Sequence, residues 1–288
     1  MREKTKAYMA GLMDGEGCFS IFKTFKSNYV NYRPFVGFTN GSKALMQWAV
    51  NHFVGTINYQ KAAMNGGYLS KPLYHWRLYG RKSVGFFLTS ISPYLIEKRQ
   101  QANILLEYLN LDGQINPVKR DELFVKLREA KKSSCVTTET PGALVGKPLQ
   151  AYLAAILDGE GYLVISRGPA YNVRIGITNT FMPLLELAKN KFGGSISPLK
   201  NKKGKPAFVW YISKKQDIEK YLLALLPYLI VKRDEGKILL NYVRHNKPTP
   251  EIREDFYQQM KAAKDKRAKI QSGLMSDHER ALTGTLVA

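Results

Sequence analysis

One stretch of this chain occurs twice. Tyr8-Met-Ala-Gly-Leu-Met-Asp-Gly-Glu-Gly17 returns 144 positions further on as Tyr152-Leu-Ala-Ala-Ile-Leu-Asp-Gly-Glu-Gly161. Each copy reads as a short apolar helix that ends in Asp-Gly-Glu-Gly and runs into a strand-like segment. The ending is costly for a helix. Its last carbonyls carry partial negative charge, so carboxylates are disfavoured there and cations are welcome. Yet Asp14 and Glu16, and again Asp158 and Glu160, crowd that end, with a glycine on each side of the Glu. Such glycines can take left-handed or strained conformations, and they admit close approach by another backbone or a phosphate. A positive partner is expected. A divalent metal is the natural candidate, because hard cations take carboxylate, carbonyl and water oxygens and recruit phosphate oxygens.

The helices carry a second constraint. Met9 to Met13 and Leu153 to Leu157 make each helix apolar nearly all round, which implies burial. Gly11, Ala10, Ala154 and Ala155 in mid-span let two backbones approach closely. If the copies pack on each other, Glu16 and Glu160 arrive side by side, where they repel unless cations bridge them. A single Asp-Gly-Glu-Gly is most simply an exposed turn. Two copies in matched contexts make Glu16 and Glu160 candidate metal ligands, with Asp14 and Asp158 ranked second because they could bond the turn backbone instead.

These residues resemble those of the LAGLIDADG homing endonucleases, in the single-chain form that carries both motifs. Met9 to Gly17 and Leu153 to Gly161 match the motif position by position, and the family's metal ligand falls on Glu16 and Glu160. Ala155 stands where the family often has Gly, which should widen the helix contact slightly. The resemblance implies a metal site at Glu16, Glu160, Gly15 and Gly159. It implies catalytic basic residues at Lys98 and Lys232, close to the scissile phosphates, and water-ordering polar residues at Asn40 and Asn179. Mg²⁺ is the implied cofactor, with Mn²⁺ able to substitute and Ca²⁺ expected to bind without supporting cleavage.

The remainder of the chain is duplicated as well. Gly37-Phe-Thr-Asn40 matches Gly176-Ile-Thr-Asn179 at a shift of 139, and Pro93-Tyr-Leu-Ile-Glu-Lys-Arg99 matches Pro227-Tyr-Leu-Ile-Val-Lys-Arg233 at a shift of 134. Residues 1–132 and 150–269 are therefore two copies of one unit, joined by a Ser-, Thr-, Gly- and Pro-rich linker at 133–149 and followed by a tail at 270–288. In the first copy, Cys18 to Lys26 reads as a strand with Phe19 and Ile21 on one face and Ser20, Phe22, Thr24 and Lys26 on the other. A turn is expected over Asn28 to Pro34, a strand over Phe35 to Thr39, and helices over Lys43 to Phe53, Lys82 to Leu88 and Ile96 to Leu109. Together with the resemblance, this order gives an α+β fold. Two pseudo-symmetric αββαββα repeats would form a saddle of antiparallel sheets with helices on the outer face.

The charge indicates what the open faces meet. The sequence holds 44 Lys+Arg against 23 Asp+Glu, a net +21, which favours a polyanionic partner. No lone basic amphipathic helix or membrane-spanning run stands out, so the expected partner is double-stranded DNA, with intron RNA as a second possibility and no membrane. A strand of about 8 residues spans roughly 26 Å at ~3.3 Å per residue. Two halves then imply a site on the order of 20 base pairs at ~3.4 Å each. Candidate DNA contacts in the first half are Ser20, Phe22, Thr24, Lys26, Arg33, His75 and Arg77. In the second they are Ser166, Arg167, Arg174 and Tyr211, with the loop lysines Lys200, Lys202, Lys203 and Lys205. Tyr211 stands where the first copy has Arg77, so the site is expected to be non-palindromic.

Cys18 and Cys135 are too few for a disulfide framework and read as free buried thiols. His52, His75, His245 and His278 have no metal-ligand spacing. No signal peptide opens the sequence, so an intracellular protein is expected, in an organelle or a prokaryotic cytoplasm. The functional expectation is a monomeric, sequence-specific double-strand DNA endonuclease with an internal pseudo-two-fold, intron-encoded or free-standing, leaving short 3′ overhangs. An intron RNA maturase, or a DNA-binding regulator on the same scaffold, is the alternative.

Overall fold

Helix α1 (Glu3–Glu16) is apolar all round in its middle, Ala7 to Met13, and every residue of that stretch is buried. In the computed structural model, which describes residues 1–27, 29–65, 68–69, 72–111, 117–132, 140–168, 171–199 and 206–272, it packs lengthwise on its duplicate, α6 (Gly146–Glu160). The two backbones touch. A Cβ on Gly11 would lie 2.5 Å from the Tyr152 carbonyl oxygen and 3.0 Å from the Ala155 methyl. Glycine at position 11 is what brings the helices this close, and the Ala155 methyl fills the notch it leaves.

Each half builds the same layers around its central helix. The first continues through β1 (Gly17–Lys26), β2 (Tyr29–Asn40), α2 (Lys43–Phe53), β3 (Thr56–Gln60), the two-residue strands β4 (Met64–Asn65) and β5 (Tyr68–Leu69), and β6 (Leu73–Tyr79). Helices α3 (Arg81–Ile91), α4 (Arg99–Leu109) and α5 (Pro117–Ala130) complete it. The second half runs through β7 (Gly161–Ser166), β8 (Asn172–Asn179), α7 (Met182–Phe192), β9 (Ser195–Leu199), β10 (Ala207–Ile212), α8 (Lys215–Leu225), α9 (Arg233–Arg244) and α10 (Pro250–Ser272). The sheets are antiparallel with matching orders, β1-β2-β6-β3 and β7-β8-β10-β9. The fold is α+β.

Alternation decides which sheet face is open. Phe19, Ile21, Val36, Phe38, Trp76 and Leu78 enter the core beneath the helices, as do Leu163, Ile165, Ile175, Ile177, Trp210 and Ile212. On the opposite face Ser20 pairs with Phe35, Phe22 with Arg33, Val164 with Arg174 and Tyr211 with Gly176. Cys18 belongs to this row and is exposed, so its thiol is not buried. The same two-residue period that buries Phe19 puts Cys18 outside. Cys135 lies outside the described residues.

Two expected boundaries are corrected. The turn expected over Asn28 to Pro34 is largely strand, since β2 starts at Tyr29. Pro34 is tolerated there because the β6 partner of β2 ends opposite Phe35, leaving β2 with a free edge beyond it. The helix expected from Ile96 starts at Arg99, after a single 3₁₀ turn at Ser92–Tyr94. The N–H groups of Ile96 and Lys98 are bonded to the Asp14 side chain and do not join a helical ladder. No helix among the described residues is long and apolar enough to cross a membrane.

Candidate active site

The ends of α1 and α6 are locked by a reciprocal set of hydrogen bonds. Tyr152 Oη donates to Asp14 Oδ2 and Tyr8 Oη to Asp158 Oδ2, each at 2.7 Å. Asp14 also accepts from the N–H groups of Ile96 and Lys98, at 2.7 and 2.8 Å; Asp158 accepts from Ile230 and Lys232 at the same distances. Each Asp therefore ties its own helix to the partner helix and to the loop before α4 or α9. Burial raises the Asp14 carboxyl above the ordinary range, against the lowering effect of these bonds.

The same loops bring a cation to each helix end. Lys98 Nζ donates to the carbonyls of Met13 and Asp14, at 2.8 and 2.7 Å, and Lys232 Nζ donates to those of Leu157 and Asp158. These ammonium groups supply the positive charge that the last carbonyls of α1 and α6 call for. Lys232 is buried and Lys98 partly exposed. Burial lowers the Lys232 pKa, with Asp158 opposing and Arg267 adding to the fall.

Glu16 and Glu160 cross over each other. A Cβ on Gly159 would meet Glu16 Oε1 at 3.0 Å, and one on Gly15 would meet Glu160 Oε1 at 3.4 Å. Gly15 and Gly159 are thus the space into which the opposite carboxylates fit; neither they nor the helix-ending Gly17 and Gly161 have positive φ, so approach and not handedness calls for glycine. The lysine acting most on Glu16 is Lys232, from the other half, and the one acting on Glu160 is Lys98. Burial raises both glutamates, and the neighbouring charge of Glu16 adds to the rise at Glu160.

Two asparagines aim the glutamates. Asn40 Nδ2 donates to both Glu16 oxygens, at 2.9 and 3.0 Å, and Asn179 Nδ2 donates to Glu160 Oε2 at 2.6 Å. Each amide is oriented by its own backbone: Asn40 Oδ1 accepts from Ser42 N–H and Asn179 Oδ1 from Phe181 N–H. That leaves only the NH₂ end to face the carboxylate. The result is two half-sites, Glu16 with Asn40 and Lys232, and Glu160 with Asn179 and Lys98.

Two adjacent half-buried carboxylates, both raised by partial burial, suit a hard divalent cation. Among the described residues no group of three His, Cys, Asp or Glu side chains could hold one. The pair therefore supplies two carboxylates, and the remaining oxygens of a six-coordinate ion would come from backbone, water or phosphate.

Beside Glu16 the first sheet opens a groove of about 410 Å³ lined by Phe22, Phe35, Gly37, Thr39, His75, Arg77 and Tyr79. His75 Nδ1 bonds Thr39 Oγ1 at 2.8 Å, and Nε2 bonds Gln60 Oε1 at 2.9 Å. Ser20 and Thr24 share this face, Arg33 is exposed on it, and Lys26 ends β1 opposite Tyr29. Phe22, Phe35 and Tyr79 form an aromatic row, with ring centroids 4.8 and 5.4 Å apart. In the second sheet Arg174 stacks on Tyr211 at 4.6 Å, and Ser166 Oγ donates to the Asn172 carbonyl. Arg167 turns to α10, where it pairs with Glu254 and lies over Tyr257. Lys200, Lys202, Lys203 and Lys205 lie outside the described residues.

Glu97 borders the site, although no motif marks it. It stands between Ile96 and Lys98, its Oε2 is buried without a hydrogen-bond partner, and Asp14 and Glu160 are among the charges acting on it. Burial pushes it up to about 7. Its counterpart is Val231, so the duplicated Pro-Tyr-Leu-Ile segment already carried the signal. Because the folded pKa lies above the ordinary 4.5, this group lowers stability as pH rises from 4.5 towards 7. Glu97→Gln is expected to stabilise the protein above that window, by on the order of 2 kcal/mol, and to change nothing below it. Urea unfolding at about pH 4 and pH 8 checks this.

No protein-family model matches the chain, and no curated protein sequence matches it. Solved structures do. The LAGLIDADG homing endonuclease I-GzeII in complex with a DNA target superposes with a TM-score of 0.64 at 17% identity, covering 95% of this chain and 98% of that one. I-SmaMI bound to an uncleaved DNA target in the presence of calcium ions gives 0.65 at 18%, covering 90% and 97%. The LAGLIDADG homing endonuclease I-SmaMI bound to cleaved DNA gives 0.62 at 15%, covering 94% and 96%. Across 90% or more of its length, this chain has the fold of the LAGLIDADG homing endonucleases.

Proposed function

We propose that the chain is a LAGLIDADG homing endonuclease: a monomeric, sequence-specific enzyme that hydrolyses both strands of a long non-palindromic DNA site and leaves short 3′ overhangs. The observation that carries this reading is the crossed pair Glu16 and Glu160, each held by an asparagine and a lysine at the junction of two open sheet faces. Neighbours of the same fold have been solved with DNA, cleaved and uncleaved, and with calcium.

The sheets would bind the duplex. Arg33, Arg77 and Arg174 are suited to base edges, and the apolar row of Phe22, Phe35 and Tyr79 to thymine methyl groups. The net charge of +21 makes affinity fall steeply with salt. Glu16 and Glu160 would hold Mg²⁺, with Mn²⁺ able to replace it and Ca²⁺ binding unproductively. A bound ion supplies Lewis-acid activation of water and neutralises charge on the phosphate. Asn40 and Asn179 keep each glutamate aimed at the opposite helix end. Lys98 and Lys232, anchored on helix carbonyls, contribute a fixed positive potential next to those glutamates, where negative charge develops on the phosphate.

Cleavage of a randomised duplex library with Mg²⁺, with Ca²⁺ as control and the ends sequenced, tests the reading. Paired breaks within one long motif in Mg²⁺ alone are expected. Tight binding with no cut in either metal overturns the endonuclease and turns attention to structured intron RNA or to regulation.

A further inference from the structure

The two half-sites are not supported alike. Helix α10 begins like its duplicate α5, each with a proline, but has 23 residues against 14. Its last turns run past α9 and reach the first half of the molecule. On α9, Arg267 Nε donates to Glu235 Oε1 at 2.7 Å, and the Glu235 side chain is only 3% exposed. Glu235 lies one turn into α9 from Lys232, and both it and Arg267 act on the Lys232 ammonium. One turn beyond Arg267, the Gln271 side chain lies against Gly41, 3.2 Å from where a Cβ would stand. Gly41 joins Asn40, which aims Glu16, to Ser42, whose N–H orients the Asn40 amide.

One end of one helix thus supports both sides of the Glu16–Asn40–Lys232 half-site. Among the described residues the Glu160–Asn179–Lys98 half-site is built differently. The position matching Glu235 is Gln101, which has no charge to receive an arginine, and the position matching Gly41 is Thr180, which is exposed. Glu97 stands beside Lys98, where Val231 stands beside Lys232.

We propose that the last turns of α10, through Arg267 and Gln271, are a positioning strap for the Glu16–Asn40–Lys232 half-site alone, so that the two DNA strands are cut by half-sites of unequal support. The inference rests on the endonuclease reading. Arg267 holds Glu235, and through it the first turn of α9, which Lys232 precedes. Gln271 fills the space behind the Asn40 turn. Arg267 lies behind Glu235 and Gln271 behind Gly41, so both act through the groups they position.

The test uses the full chain and a supercoiled plasmid carrying its site, with the ends of each strand labelled separately. Rate constants for each strand are measured for wild type, Arg267→Ala, Gln271→Ala, Lys232→Met and Lys98→Met. Arg267→Ala and Gln271→Ala are expected to slow one strand by on the order of 10-fold more than the other, with nicked plasmid accumulating. The slowed strand should be the one on which Lys232→Met acts more strongly, and Lys98→Met should act more on its partner. General loss of stability would slow both strands alike and would not choose between them. Equal slowing, or a bias matching Lys98→Met, overturns the strap while leaving the endonuclease standing. If Arg267→Ala fails to fold, Gln271→Ala and the double variant Glu235→Gln/Arg267→Met, which removes the ion pair together, are read by the same criterion. A wild type that cuts neither strand overturns the underlying function, and the strap with it.

Discussion

Glu16→Gln and Glu160→Gln are each expected to lower cleavage by on the order of 10³-fold or more while leaving DNA affinity within a few-fold of wild type. Glutamine keeps the shape and can still accept from Asn40 or Asn179, so the arrangement of Asn and lysine around it survives. What is lost is the charge that binds a hard cation. A second readout separates this account from a structural one. Burial raises both carboxyls, so removing one charge should hold or raise the melting temperature of the metal-free protein. Wild type should gain stability from Ca²⁺, by about 2.7 kcal/mol at a concentration ~100 times its dissociation constant. Each Gln variant should lose most of that gain. Loss of DNA binding, or a lower melting temperature with no loss of the Ca²⁺ effect, would make the glutamates structural.

Asp14→Ala is the variant expected to cost the fold most. The carboxylate is fully buried and accepts from three donors: two backbone N–H groups in the loop before α4, and the Tyr152 hydroxyl. Removing it strands all three, at about 1–3 kcal/mol for each unsatisfied buried group. The charge removed with it was itself costly to bury, so a net loss of about 3–5 kcal/mol is expected. Asp158→Ala should behave alike, since its contacts repeat. Urea unfolding of Asp14→Ala, Tyr152→Phe and the double variant measures the coupling. Additive effects would show that the Tyr–Asp bonds across the two helices contribute nothing together. Asp14→Ala should also reduce cleavage, because Lys98 loses the side chain that holds its backbone.

Much of this architecture was legible along the chain because the chain states it twice. The repeated Asp-Gly-Glu-Gly marked both helix ends, and the all-round apolar composition of α1 and α6 required that they be covered, which they are by each other. The period of two in Cys18 to Lys26 separated the buried row of Phe19 and Ile21 from the open row of Ser20 and Phe22. Tertiary bonds overrode local pattern where the expectation missed. Ile96 looked helical, yet Asp14, 82 positions earlier, takes its N–H. Pro34 looked like a turn, but a strand whose partner has ended can accept it.

The sequence alone was sufficient for the duplicated unit, the sheet faces, the paired acidic residues and the basic charge, because each depends on residue type and spacing within a few turns or strands. How those parts meet depends on side-chain reach across positions far apart in the chain. Only the tertiary structure decided that the glutamates cross, so that Glu16 answers to Lys232 and Glu160 to Lys98. It also showed that Gly15 and Gly159 are cavities for the opposite carboxylates. Finally, it placed Arg267 against α9 and Gln271 against the first half, behind one half-site, contacts that no local periodicity encodes.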